Sequence, residues 1–299
     1  MKNKIISDQF IEQLDSLVLN MKAPMKGYFG GNHRTNSYGS TVEFADFREY
    51  VLGDDIRRID WNLYSRFEKH FIKLFVDERQ MHIQIFVDCS ASMGFENSKK
   101  GETALKIAAA LGYISIHNMD KLSYKLIHGD DTTDESGMIN GKDAFYRSLD
   151  ILENSKFVGE ADMQKAITGC INPGYNDGLT IIISDFLTDS NWKAAIDFLL
   201  YRHREVMAIQ VLSPEEVAPS YNGRMVLLDA ESVDKSDEKN LKLRISRSEF
   251  EAYKEALSDY LQEVKDFCSS RGVSYMLANT EKDVEKLLLE RLFEMGVIK

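Results

Sequence analysis

The segment Phe86-Val87-Asp88-Cys89-Ser90-Ala91-Ser92-Met93 decides the fold. It closes an apolar run that begins near His82, in which Ile83, Ile85 and Val87 are β-branched. A short run of this kind predicts a strand buried inside a sheet. Beyond Val87 the chain places one carboxylate and two hydroxyls at every second position, Asp88, Ser90 and Ser92. An extended backbone would turn all three to the same side. They make a set of hard oxygen donors suited to Mg²⁺ or Mn²⁺, ions of a kind that prefer oxygen ligands in octahedral geometry and bind through few protein carboxylates. Hydroxyls neutralise none of the metal's charge, so the ion would remain electrophilic toward an acidic group from outside.

About a hundred residues on, Leu179-Thr180-Ile181-Ile182-Ile183-Ser184-Asp185-Phe186 is a second apolar strand that ends in an aspartate. Ligands of open α/β sheets gather beyond the carboxyl ends of the parallel strands. Asp88 and Asp185 are both expected there.

Asp88-Cys89-Ser90-Ala91-Ser92 has the Asp-x-Ser-x-Ser form of the metal-ion-dependent adhesion site of von Willebrand factor A domains, and Asp185 stands where the distal aspartate of that site stands. Further upstream come Gly39-Ser40-Thr41-Val42-Glu43-Phe44-Ala45-Asp46-Phe47-Arg48-Glu49-Tyr50, Gly53-Asp54-Asp55-Ile56-Arg57-Arg58-Ile59-Asp60-Trp61 and Phe71-Ile72-Lys73-Leu74-Phe75. With them the chain, from about Tyr28 to its end, closely resembles the bacterial family known as domain of unknown function 58. The resemblance implies a von Willebrand factor A-like (Rossmann-type) α/β domain behind an N-terminal segment, an adaptor or chaperone role, and a MoxR-type AAA+ ATPase as partner. It implies no enzymatic activity. The chain departs from the adhesion-site pattern at Val158-Gly159-Glu160-Ala161-Asp162-Met163, where Ala161 takes the place of the usual mid-domain threonine. Either Asp162 lends a carboxylate instead, or the loop contributes nothing and the metal site has decayed.

The 299 residues suit one or two domains at about 150 residues each. The formal net charge of -11 argues against a general nucleic-acid binder, because duplex affinity rests on Lys and Arg neutralising phosphates. Cys89, Cys170 and Cys268 are far apart and show neither zinc-ligand nor disulfide spacing, which fits a reducing cytoplasm. No segment reaches the roughly 18 apolar residues of a membrane span.

Two regions are expected, residues 1–79 as an N-terminal helix, loop and strand segment and residues 80–299 as the α/β domain. Ile6, Phe10, Leu14, Leu17, Val18 and Met21 recur at helical intervals, predicting an amphipathic helix that packs on its own protein or, alternatively, meets a partner or a membrane surface. Gly27, Gly30, Gly31 and Gly39 mark a loop. Asp54, Asp55, Arg57, Arg58, Asp60 and Arg66 surround Ile56, Ile59 and Trp61, a pattern expected to form a salt-bridge network joining this segment to the sheet. Further on, helices alternate with strands, as in a mostly parallel sheet with helices on both faces. Asp130, Asp131, Asp134 and Glu135 are expected as a solvated loop. Residues 222–246 read as an inserted β-hairpin.

Asp88 could also begin a phosphotransferase site as nucleophile, but the general acid such a site needs two residues on is replaced by Ser90. Together with what the resemblance implies, the expected function is a non-enzymatic, divalent-cation-assisted protein-binding module that works with the MoxR-type ATPase. Asp88, Ser90, Ser92, Asp185 and Asp162 would be its metal residues, and a client protein of unspecified identity would be its ligand. A metal-dependent phosphohydrolase and a scaffold with a decayed metal site are the alternatives.

Overall fold

The computed structural model describes residues 11–15, 42–77, 81–95, 99–128, 133–169, 178–188, 190–217 and 246–294. The strands are β1 (Val42–Glu49), β2 (Phe71–Asp77), β3 (His82–Asp88), β4 (Lys121–Ile127), β5 (Thr133–Glu135), β6 (Gly178–Ser184), β7 (Arg204–Leu212) and β8 (Ser274–Asn279). The helices are α1 (Trp61–Phe67), α2 (Lys100–His117), α3 (Lys142–Glu153), α4 (Met163–Gly169), α5 (Trp192–Tyr201), α6 (Pro214–Val217), α7 (Arg247–Ser270) and α8 (Val284–Glu294). Residues 11–15 are also helical. The glycine-rich loop and the hairpin expected at 222–246 lie outside the described residues. No helix among the described residues is long and apolar enough to cross a membrane.

The chain divides into two units, Asn32–Gln80 and the remainder, Met1–Gly31 with Met81–Lys299. The helical residues near the N-terminus therefore belong with the larger sheet, where Leu14 is buried and Tyr113 Oη donates to the Asp15 carboxylate.

In the smaller unit β1 and β2 pair antiparallel, from Val42 opposite Asp77 to Glu49 opposite Phe71, with an irregularity between Phe44 and Asp46. The sequence expectations contain no β1. The aspartates expected to build a salt-bridge network serve chiefly as caps. Asp55 accepts from Arg57 N–H at 3.0 Å, and Asp60 caps α1 by accepting from Asn62 and Leu63 N–H at 2.9 and 3.3 Å. Short acidic side chains suit this task because the first amides of a helix have no partner within it. Asp54 does form an ion pair, with Arg48 at 2.8 Å, and also accepts from Val51 N–H.

The larger unit is a mixed α/β arrangement around a mostly parallel sheet of order β5-β4-β3-β6-β7-β8. β4, β3, β6, β7 and β8 are parallel, and β5 runs antiparallel along the β4 edge. β5 corrects the expectation of a loop through Glu135. This short edge strand is held partly by its charge, because Lys125 Nζ, buried on β4, lies 2.5 Å from Glu135 Oε1.

All the side chains of β3 and β6 are buried, among them the polar His82, Gln84 and Asp88 of β3 and Thr180 and Ser184 of β6. Alternate residues enter two cores. Ile83, Ile85, Val87, Ile181 and Ile183 pack with α2, α3 and α8, whereas Phe86, Ile182 and Ala208 pack with α4, α5 and α7. Helices thus cover both faces. α2 comes so close to the sheet that Gly112 is required, since a Cβ there would lie 1.8 Å from Tyr124 Oη.

Candidate functional site

The strand order reverses between β3 and β6. From β3 the chain crosses through α2 to β4 on one side, and from β6 it crosses through α5 to β7 on the other. Helices leaving two neighbouring strands in opposite directions open a crevice at the carboxyl ends, the usual ligand position in such sheets. Asp88 ends β3 and Asp185 follows directly on β6, so the two bracket this crevice.

The loop after β3 is not extended, as the alternation had predicted. Asp88 Oδ1 accepts from Ser90 N–H at 2.9 Å, and a turn covers Ala91–Gly94. A short carboxylate bonding the amide two residues on is a common way to fold a strand end back. The loop is pinned on its far side, where Ala91 N–H donates to Gly159 O and Val158 N–H donates to Cys89 O. The turn still brings the hydroxyls together, with Ser90 Oγ 3.1 Å from Ser92 Oγ. Ser92 Oγ donates to Asp185 Oδ2, also at 3.1 Å.

Strand register supplies a neighbour that sequence reading did not select. Val87 lies opposite Ile183, so the next position along brings Ser184 beside Asp88, and Ser184 Oγ donates to Asp88 Oδ2 at 2.6 Å. The same Oγ accepts from Phe186 N–H at 2.9 Å. Asp185 is braced through its backbone, since Gln210 Nε2 donates to its carbonyl at 2.8 Å and Tyr275 Oη donates to Gln210 Oε1 at 2.7 Å. Phe186 takes a left-handed backbone, φ +57°, uncommon for a bulky residue. Its carbonyl accepts from Tyr260 Oη, which itself accepts from Trp192 Nε1 at 3.1 Å.

Lys100 and Glu216 complete the cluster, and neither was singled out from the sequence. Lys100 opens α2, and its Nζ lies 2.8 Å from Asp185 Oδ2 and 2.7 Å from Glu216 Oε1. Its side chain is only 3% exposed. Glu216 sits just past β7, where its Oε2 accepts from Ser213 N–H at 2.8 Å while its own N–H donates to Ser213 Oγ at 3.3 Å. That reciprocal Ser-x-x-Glu pattern is readable in sequence and would have placed a carboxylate at the sheet end.

Asp88 feels both burial and its neighbour. Desolvation, and after it the Asp185 charge, push its carboxyl up to about 6, against the pull of the Ser184 and Ser90 hydrogen bonds. Lys100 is held above the usual lysine value: burial opposes its charge, and the Asp185 and Glu216 carboxylates outweigh it.

The remaining expected residues are elsewhere in role. Asp162 is exposed and accepts from Lys165 N–H at 2.9 Å at the start of α4. Ala161 is buried in the core that contains α4 and α5. Cys89 is fully buried. Among the described residues no group of three or more His, Cys, Asp or Glu side chains is arranged to hold a metal. A cation site here must therefore rely on hydroxyls. The donor set is compatible with one: adjacent oxygens of a Mg²⁺ octahedron with bonds of about 2.1 Å stand roughly 3 Å apart. The successive spacings from Ser90 Oγ to Ser92 Oγ to Asp185 Oδ2 are each 3.1 Å.

The profile of a family described as "Protein of unknown function DUF58" matches residues 46–258. The uncharacterized protein Rv1480 of Mycobacterium tuberculosis is 29% identical over 223 residues, covering 73% of this chain and 70% of its own. The uncharacterized protein MAV169 of Mycobacterium avium is 41% identical over 71 residues, 24% of this chain and 41% of its own. Among solved structures, the conserved hypothetical protein BatB from Bacteroides thetaiotaomicron aligns with a TM-score of 0.45 at 14% identity, over 72% of this chain and 98% of that one.

Proposed function

The chain belongs to the DUF58 family, and from the geometry of its own sheet end we propose that it is a non-enzymatic protein-binding module of von Willebrand factor A-like design, assisted by a divalent cation. The observation that carries this reading is the run of oxygens from Ser90 Oγ to Ser92 Oγ to Asp185 Oδ2, with Asp88 beside it, at the switch point of a parallel sheet. Asp88, Ser90, Ser92 and Asp185 would hold Mg²⁺ or Mn²⁺, and the bound ion would offer an open position to a carboxylate of the client. Asp162 is left out, because its carboxylate caps α4.

The protein's own groups prepare the site. Asp88 folds the loop through Ser90 N–H, Ser184 fixes the second Asp88 oxygen, and Gln210 and Tyr260 hold the backbone around Asp185. Two hydroxyls and two carboxylates would supply about four ligands of an octahedral ion and leave a position open on the client's side.

Titration calorimetry with Mn²⁺ and Mg²⁺ tests the site: wild type should give saturable heat that Asp88→Ala abolishes. Equal heats from the two proteins would remove the metal from the account. The rival phosphohydrolase lacks a general acid where Ser90 stands. Turnover of a phosphate ester that disappears in Asp88→Ala would nonetheless replace the present reading. The expected MoxR-type AAA+ partner rests on the family resemblance alone. Co-purification with and without nucleotide should recover such an ATPase, and its repeated absence would sever that part of the proposal.

A further inference from the structure

The cluster at the sheet end contains a cation of its own. Lys100 Nζ is 2.8 Å from Asp185 Oδ2, the same oxygen that accepts from Ser92 Oγ. The other oxygen, Oδ1, accepts from Leu187 N–H at 2.9 Å. A carboxylate oxygen has two lone-pair directions. With Ser92 and Lys100 both on Oδ2, Asp185 has no donor direction there to give a metal. Rotating the Ser92 hydroxyl frees a lone pair on the serine and one on Oδ2, but it leaves the ammonium on Asp185, where it repels an incoming cation.

We propose that Lys100 is the resident counter-ion of the sheet-end carboxylates, and that a divalent cation taking Asp185 displaces the Lys100 ammonium toward Glu216. The inference rests on the cation site proposed above. Its physical basis is that an ammonium removed from water costs several kcal/mol unless it is paired. Lys100 cannot simply be expelled; it needs a second anchor.

Glu216 provides that anchor. Its Oε1 lies 2.7 Å from Lys100 Nζ, and its Oε2 is fixed by Ser213 N–H, so it stays in place when Asp185 is withdrawn. Lys100 also cannot retreat through its backbone, because the next residue, Gly101, donates its N–H to Met93 O at 2.8 Å, in the loop that carries the serines. Formally the cluster has three carboxylates, Asp88, Asp185 and Glu216, against one ammonium, leaving two negative charges for an incoming divalent ion. Lys100 therefore holds the site together without metal and sets how much metal is needed to open it. Both Lys100 and Glu216 act here as positioning residues.

The test compares Mn²⁺ binding by calorimetry in wild type, Lys100→Met, Glu216→Gln and Asp88→Ala, with thermal melts in EDTA and in Mn²⁺. Lys100→Met should bind Mn²⁺ at least tenfold more tightly than wild type. It should melt below wild type in EDTA and gain more from Mn²⁺. Glu216→Gln should bind several-fold more weakly than wild type, because the displaced ammonium then loses its carboxylate partner there. Equal affinities in wild type and Lys100→Met, both lost in Asp88→Ala, would overturn the counter-ion role while leaving the cation site intact. Absence of binding in every protein would overturn both. If Lys100→Met does not fold, Glu216→Gln decides: unchanged or tighter binding refutes the proposal.

Discussion

The strands β3, β6 and β7 carry buried charge at both ends, and the two ends handle it differently. At the amino end Arg204 is 3% exposed, and its partners include two peptide carbonyls, His82 O at 3.0 Å and Leu179 O at 2.8 Å, and the Thr180 hydroxyl at 3.0 Å. Gly178 admits it: φ there is +146°, and a Cβ would stand 2.3 Å from His82 O and 2.7 Å from Arg204 Nη1. At the carboxyl end the buried cation, Lys100, is instead set between two side-chain carboxylates, and Ser92 and Glu216 keep a partial view of solvent. A charge tied to peptide groups is part of the frame. A charge tied to other ionisable side chains can be exchanged for another of its sign.

The largest expected effect breaks the amino end. Arg204→Met removes a charged donor from two strand carbonyls and the Thr180 hydroxyl in a closed interior, and chemical denaturation should show a loss of about 3–5 kcal/mol. Mn²⁺ affinity of the folded protein should stay within about twofold of wild type. A loss below about 1 kcal/mol would mean that the amino end is not the closed frame described.

The two ends should also respond oppositely to pH. Asp88 is raised from 3.8 to about 6, so between those values the unfolded chain ionises first and stability falls as pH rises. His82 is lowered from 6.5 to about 4, chiefly by burial and then by Arg204. Between 6.5 and about 4 the unfolded chain protonates first, so stability from this residue is complete above pH 6.5 and is lost as pH drops. Each contribution is on the order of 3 kcal/mol, because every tenfold change in proton affinity on folding is worth about 1.4 kcal/mol. They oppose one another over the same window. Denaturation curves in EDTA should therefore show Asp88→Asn gaining on wild type as pH rises from 4 to 6, and His82→Gln falling behind it from 4 to 6.5. Parallel curves for all three proteins would erase this distinction between the ends.

The smallest effect sharpens the carboxyl end. Tyr260→Phe removes a donor to Phe186 O and an acceptor for Trp192 Nε1. Denaturation should show a loss of about 1 kcal/mol. A few-fold weaker Mn²⁺ affinity should accompany it, and unchanged affinity would dissociate the Phe186 backbone from the site.

Periodicity and burial made the strands and most helices readable. β3 and β6 carry apolar residues on both faces because both faces are covered, and α5 declares itself through Trp192, Ala195, Ile196 and Leu199. Asp88 and Asp185 were legible because each directly follows such a run. What escaped depends on relations between strands. Ser184 matters only once β3 and β6 are set in register, and Glu216 only once β7 is known to lie beside β6. Lys100 was passed over because a lysine in a polar loop usually means solvent. β5 was missed because three residues are too few for alternation to show.

Both helical layers of the larger unit reach Asp185 or the residue after it. From one face of the sheet α2 reaches its carboxylate through Lys100, and from the other α7 reaches the peptide just after it through Tyr260. A force applied to the outer side of the 24-residue α7 has a short route to the same carboxylate that the opposite layer neutralises. On the proposed reading, the hold of the sheet end on an acidic ligand is open to loosening by something that never touches it.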